Sequence, residues 1–145
     1  MKNAIEVREG VQVDEIIAIR HRNLRQGQPQ KSACYPEDSL QGTVHFSLVL
    51  NGDTVGCVTL MVEGRGCCGL RLRGMAVDDD FRGNNLGSIM LMECQRYARS
   101  METGIWCNAR VAALGLYRRG GFVTVGDEFE IEGIGPHFVM EWNNG

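Results

Sequence analysis

The sequence has no uncharged apolar run near the roughly 20 residues that a membrane span requires. Its start, Met1-Lys2-Asn3-Ala4-Ile5-Glu6, runs into charge where a secretory leader would place an apolar stretch. Cys34, Cys57, Cys67, Cys68, Cys94 and Cys107 form no C-x-x-C pair and no zinc-ligand spacing with His21, His45 or His137. No bound metal is expected, and the expectation is a cytoplasmic protein with reduced thiols. The 15 basic residues are dispersed, and the formal net charge is -3. That argues against nucleic acid or a membrane surface as partner, because either needs concentrated positive charge. No internal repeat and no linker divides the chain.

What is present suits one compact domain over 1–145. A chain of 145 residues buries roughly 68–70% of its unfolded surface, enough for stability without staples. Ile5–Arg8 reads as a short strand. Val13 to Leu24 carries apolar residues at helical spacing, with Arg20 interrupting the stripe. Gln26 to Gly42 has turn residues and no period, so a long, functional loop is expected there. Val44–Leu50 and Thr54–Val62 read as strands joined at Asn51-Gly52-Asp53, a hairpin signal. Leu70–Val77 is a further strand that ends in Asp78-Asp79-Asp80.

From Leu86 to Met101 the period becomes helical, with Leu86, Ile89, Met90, Cys94, Tyr97, Ala98 and Met101 on one face. A strand from Gly104, a short helix over about Val111–Arg119 closed by Gly120-Gly121, and two strands complete the order. Neither strict alternation nor segregated helices fits. The expectation is an α/β protein of α+β type: a mixed, mostly antiparallel sheet of six to seven strands with helices on both faces.

The informative segment is Arg82-Gly83-Asn84-Asn85-Leu86-Gly87-Ser88, which follows a strand and opens the long helix. A phosphate is held by backbone N–H groups that converge, which demands small residues and left-handed angles. The helix start adds unpaired donors and partial positive charge. Gly83 and Gly87 allow close approach, asparagine tolerates left-handed angles, and Arg82 can add a charged contact. A Walker loop is excluded because no lysine follows Gly87, and a dinucleotide loop because three residues separate the glycines.

These residues resemble the [QR]-x-x-G-x-[GA] signature of the GNAT superfamily of acyl-CoA N-acyltransferases. Arg82 and Gly87 match, while Asn85 stands where the middle glycine is usual. Downstream, Arg110-Val111-Ala112-Ala113-Leu114-Gly115-Leu116-Tyr117-Arg118-Arg119-Gly120-Gly121-Phe122 resembles the superfamily's N-x-x-A-x-x-x-Y-x-x-x-G-F segment. Ala113, Tyr117, Gly121 and Phe122 match there, and Arg110 takes the asparagine slot. Leu24–Pro29, Leu72–Val77 and Gly133–Met140 resemble one subset of that superfamily, which implies no single substrate.

The resemblance implies acetyl-CoA as acyl donor, held by Met75, Ala76, Val77, Arg82, Gly83, Asn84, Asn85, Leu86, Gly87, Ser88, Arg110, Ala113 and Tyr117. It implies direct transfer of an acetyl group to an amine in a ternary complex. Tyr117 is the candidate acid for the departing thiolate, since a phenol with a pKa of about 10 carries its proton at neutral pH. Its alternative reading is the apolar anchor of a short helix.

The base is open. Arg71 and Arg73 occupy the strand on which many GNAT enzymes place a carboxylate, which leaves Glu128, Glu130, Glu132, His137 or a water chain. The three glutamates also read as a solvated strand edge, His137 as a satisfied turn histidine and His45 as structural. A GNAT fold that binds CoA or another ligand with little turnover is the alternative function. A homodimer is a further expectation.

Overall fold

Alternation and turn chemistry organise the chain, whose computed structural model describes residues 4–144. The reading of Met1, Lys2 and Asn3 as a charged start lies outside them. Seven strands form one sheet in the order β1-β2-β3-β4-β5-β7-β6. They are β1 (Ile5–Glu9), β2 (Val44–Leu50), β3 (Asp53–Arg65), β4 (Cys68–Val77), β5 (Gly104–Arg110), β6 (Val123–Ile131) and β7 (Gly135–Trp142). The helices are α1 (Ile17–Leu24), α2 (Leu86–Ser100) and α3 (Leu114–Arg119). The expected mixed sheet is present. β1–β2, β2–β3, β5–β7 and β6–β7 are antiparallel, and β4–β5 is parallel.

Two compact units make up the chain. One comprises the described residues up to Met61 together with Arg73–Met90, and the other comprises Val62–Leu72 and the residues from Leu91 onward.

In the first unit, Asn51 and Gly52 both take positive φ, 51° and 90°. A two-residue hairpin turn matched to strand twist requires just that. β2 is buried from His45 to Leu50, as befits a strand covered on both faces. Ile16 and Ile19 pack with Cys57 and Ala76 in one apolar cluster. The adjacent Gly56 faces the other way, where an added Cβ would stand 3.1 Å from the Met90 methyl and 3.2 Å from Leu48 Cβ. Neighbouring strand residues point to opposite faces, so α1 and the first turn of α2 cover opposite sides of β3. The long loop holds two single-turn 3-10 helices, Gln30–Ala33 and Pro36–Ser39.

In the second unit, Tyr117 meets Phe122 edge to face at 5.4 Å between centroids, and Phe122 stacks on Trp142 at 6.3 Å. Gln95, buried on α2, donates to the Gly120 carbonyl at 2.7 Å. A Cβ on Gly120 would meet Leu91 at 2.7 Å, so packing selects that glycine. Gly121 carries the left-handed angle, φ 92°. Met101, expected on the buried face of α2, lies beyond the helix and is exposed. The helix is buried instead through Leu91 and Gln95 as well as Cys94 and Ala98.

Candidate active site

The helix-entry loop belongs to the first unit. Gly83 has φ 84° and Asn85 has φ 60°. Asn85 therefore takes the left-handed backbone that a glycine supplies at this slot, using the tolerance of its short polar side chain. Among the described residues, no backbone N–H from Gly83 to Ser88 meets a protein acceptor. An added Cβ at Gly83 would touch nothing within 4 Å. The space beside Gly83 is open and the donors of the loop are available.

Arg82 is held mainly by the protein. Its Nε donates to the Val77 carbonyl at 3.0 Å, Nη2 reaches Asn23 Oδ1 at 3.3 Å, and Nη1 lies 2.6 Å from Asp79. Arg22 and Asn23 both donate to Asp78 at 2.7 Å. Arg22 is the main cause of the lowered Asp78 pKa, acting against burial and with help from Asn23. The end of α1 thus ties down the turn that carries the loop.

Upstream, Met75, Ala76 and Val77 close β4, and Gly74 just before them has φ 66°. An isolated glycine within a strand pattern signals such a break in regular extension. A Cβ there would approach Arg20 Nε at 3.1 Å and the Tyr35 ring at 3.4 Å. Arg20 is fully buried. It donates from Nη1 and Nη2 to the two Asp38 oxygens at 2.7 and 2.9 Å, to Thr59 Oγ1 at 2.6 Å, and to the Ala33 carbonyl at 3.0 Å. Burial works to raise the Asp38 pKa, but hydrogen bonds from Arg20 and the Tyr35 N–H outweigh it and hold the carboxyl below its ordinary value.

The guanidiniums of Arg20 and Arg73 lie 4.1 and 4.0 Å from the centre of the Tyr35 ring. Arg73 Nη1 also donates to Glu37 Oε1 at 3.3 Å. Periodicity gave no hint of these partners, because the loop that supplies Tyr35, Glu37 and Asp38 has none. His45 lies in β2. It is buried, bonded to Thr59 Oγ1 at 2.8 Å and to the Asp38 carbonyl at 3.2 Å. Burial pushes its pKa down.

The second unit holds the other candidates. Tyr117 is buried on α3, and burial, followed by the neighbouring Cys107 and Cys94, raises its pKa well above the ordinary value. Its proton is retained across the neutral range. Arg110, at the end of β5, is the register partner of His137 on β7, and the turn Val111–Ala113 follows it. His137 is buried, with Nδ1 2.7 Å from the Gly135 carbonyl and its ring 5.9 Å from Phe129. Glu128, Glu130 and Glu132 are all exposed. β6 is the last strand of the sheet, its register is broken between Val125 and Phe129, and Glu132 lies beyond its end.

Arg71 pairs with Glu63 at 3.2 Å and lies 4.9 Å from the Trp106 ring centre. Each β4 arginine therefore has a carboxylate partner from elsewhere in the chain. Burial pushes the Cys57 and Cys107 thiols up to about 12, so neither supplies a thiolate nucleophile at neutral pH.

A seven-stranded mixed sheet with this element order is a GNAT-like fold. The sequence matches the acetyltransferase (GNAT) domain family over residues 24–143, and the chain belongs to that family of N-acetyltransferases. It is 31% identical over 135 residues to the uncharacterized N-acetyltransferase YitI of Bacillus subtilis (strain 168), covering 90% of this chain and 91% of that one. Among solved structures, Escherichia coli ElaA superposes with a TM-score of 0.76 at 18% identity, covering 95% of this chain and 99% of ElaA. An aminoglycoside 6'-N-acetyltransferase complexed with coenzyme A gives 0.77 at 14% identity, with 96% and 97% covered.

Proposed function

We propose that this chain transfers an acetyl group from acetyl-CoA to an amine directly, within a ternary complex. The observation that carries the reading is the run of unpartnered N–H groups from Gly83 to Ser88, shaped by left-handed Gly83 and Asn85. Such a run of donors at the start of a 15-residue helix suits a diphosphate in both hydrogen bonding and charge. The residues present fit the group. Asn84, Leu86, Gly87 and Ser88 contribute donors, while Arg82 braces the turn.

Acetyl-CoA supplies an activated acyl group and a thiolate leaving group. The main chain of Met75, Ala76 and Val77 is assigned to its pantetheine arm by family position, and the left-handed Gly74 stands directly before it. A main-chain N–H of that segment, pointed at the thioester carbonyl, would act as an oxyanion donor, a contribution commonly worth about 10²–10³ in rate. Arg110 and Ala113 are assigned to the coenzyme by the same family pattern.

Tyr117 is assigned by family position as the acid for the departing sulfur. Its raised pKa keeps the phenol protonated, and the thiolate must be the stronger base locally for the transfer to run downhill. Glu128 and His137 are base candidates by elimination, since arginines stand on β4 where many GNAT enzymes place a carboxylate; exposure of the first and the Gly135 contact of the second favour structural roles.

The test is thiol release from acetyl-CoA with an amine panel, alongside thermal unfolding. Coenzyme at about 100 times its dissociation constant should add about 2.7 kcal/mol. Tyr117→Phe should lower kcat by roughly 10²–10⁴ while the coenzyme-induced stabilisation persists. Undiminished kcat removes Tyr117 from the acid role. Absence of any stabilisation by millimolar acetyl-CoA removes the coenzyme site.

A further inference from the structure

The clearest unassigned feature is the charged group around Tyr35. Two arginines and two carboxylates meet there in pairs, Arg20 with Asp38 and Arg73 with Glu37. The first pair is sealed, with side chains 0% and 8% exposed, and the second is open at 26% and 30%. Arg73 directly precedes Gly74, the residue whose left-handed φ breaks β4. We propose that Arg73 and Glu37 read the acceptor, and that the acceptor is a zwitterion: an amine carrying a carboxylate, as in an amino acid. The proposal rests on the coenzyme reading above, which places the thioester carbonyl at the main chain just after Gly74.

Charge balance and preorganisation select that class of acceptor. The four side chains sum to zero, two positive and two negative. A lone ammonium brought to Glu37 leaves an excess positive charge beside buried Arg20, and a lone carboxylate at Arg73 leaves an excess negative charge beside Asp38. A zwitterion exchanges one pair for two and leaves the balance unchanged, which matters most where water is scarce. The guanidinium plane of Arg73 is held 4.0 Å over the Tyr35 ring, which prepares a planar donor for a carboxylate. The ring is fixed in turn, because the Tyr35 N–H donates to Asp38 Oδ2 at 2.8 Å and the glycine at 74 admits the ring. Glu37 takes the ammonium, and one N–H proton leaves the nitrogen for solvent before it attacks the acyl carbon.

Thiol release measured with matched acceptors tests this: L-amino acids, their C-terminal amides, and the corresponding amines without the carboxylate. The expected result is a preference of roughly 10–100-fold in kcat/KM for acid over amide, the range of one charged hydrogen-bonded contact. Arg73→Gln should collapse that acid-to-amide ratio towards one, and Arg73→Lys should recover part of it. Glu37→Gln should raise KM for acid and amide alike. Stabilisation by acetyl-CoA, measured on each variant, reports whether the fold and coenzyme site survive. Amides or simple amines used as well as the acids overturn the proposal, as does an unchanged ratio in Arg73→Gln. So does coenzyme binding with no amino acid accepted. Loss of coenzyme binding by the unaltered protein instead defeats the reading on which the proposal stands.

Discussion

The two ion pairs flanking Tyr35 use the same chemistry in different surroundings. Arg20–Asp38 is closed off from water, and both Asp38 oxygens are engaged. Arg73–Glu37 is longer, 3.3 Å against 2.7 Å, and partly solvated. A buried pair contributes little net stability over an apolar substitute, yet removing one partner strands a charge. A solvated pair also contributes little, but it strands no charge when broken and can exchange partners with little loss. The first pair therefore acts as a structural peg that ties the Pro36–Ser39 turn to α1 and β3 through Asp38, Arg20 and Thr59. The second is a contact surface.

The largest effect should come from breaking the peg. Asp38→Ala leaves Arg20 buried without its counter-charge and is expected to cost about 3–5 kcal/mol. Glu37→Ala is expected to cost about 1 kcal/mol or less. Urea titration of both variants at neutral pH measures the contrast, and equal costs would abolish the distinction between peg and contact surface.

Acid should expose the same asymmetry more gently. The pKa of His45 is lowered by burial and, less strongly, by the charge of Arg20, with the Asp38 carbonyl and carboxylate opposing. The folded state therefore binds this proton more weakly than the unfolded chain does. Stability from this group is complete above its ordinary value of 6.5 and drains away as pH falls through the lower folded value. Asp38 follows the same sign at lower pH. Its contribution is present above 3.8 and lost as pH falls through its depressed folded value. Unfolding free energy should decline in two stages, and His45→Gln should remove the upper one. A single-stage profile in the unaltered protein would mean that His45 does not feel its burial.

The sequence announced the strands, the hairpin at Asn51-Gly52 and the helix entry, because each rests on local period or local backbone angle. Arg20 was visible as a break in the α1 stripe, but its partner lies 18 residues away in an aperiodic turn, and pairing across such a gap leaves no periodic trace. The carboxylates beside β4 were hidden for the same reason. Reading only the strand shows Arg71 and Arg73, whereas the fold brings Glu63 and Glu37 to them. Gly74 was legible in principle, since a lone glycine inside Leu70–Val77 is a signal of irregular backbone. Alternation places Glu128 and Glu130 on one face of their strand, and both are exposed, but sequence alone left them open between a base and a solvated edge.

The smallest effect belongs to the loop, where the departure from the family signature is most visible. Asn85 holds φ 60°, a conformation that costs an ordinary residue about 1–2 kcal/mol, and asparagine less. Asn85→Gly removes the remaining strain but gives the unfolded chain more freedom, a loss of roughly 0.4–1 kcal/mol. The two nearly cancel, so stability should change by no more than about 0.5 kcal/mol. Acetyl-CoA affinity should hold, since the donors are main-chain groups that both residues carry. Asn85→Val should differ on both counts, because a branched side chain resists the left-handed angle and tilts those donors away. Calorimetric titration with acetyl-CoA distinguishes the cases. Affinity in Asn85→Val equal to that of the unaltered protein would show that the backbone angle at this position does not organise the coenzyme loop.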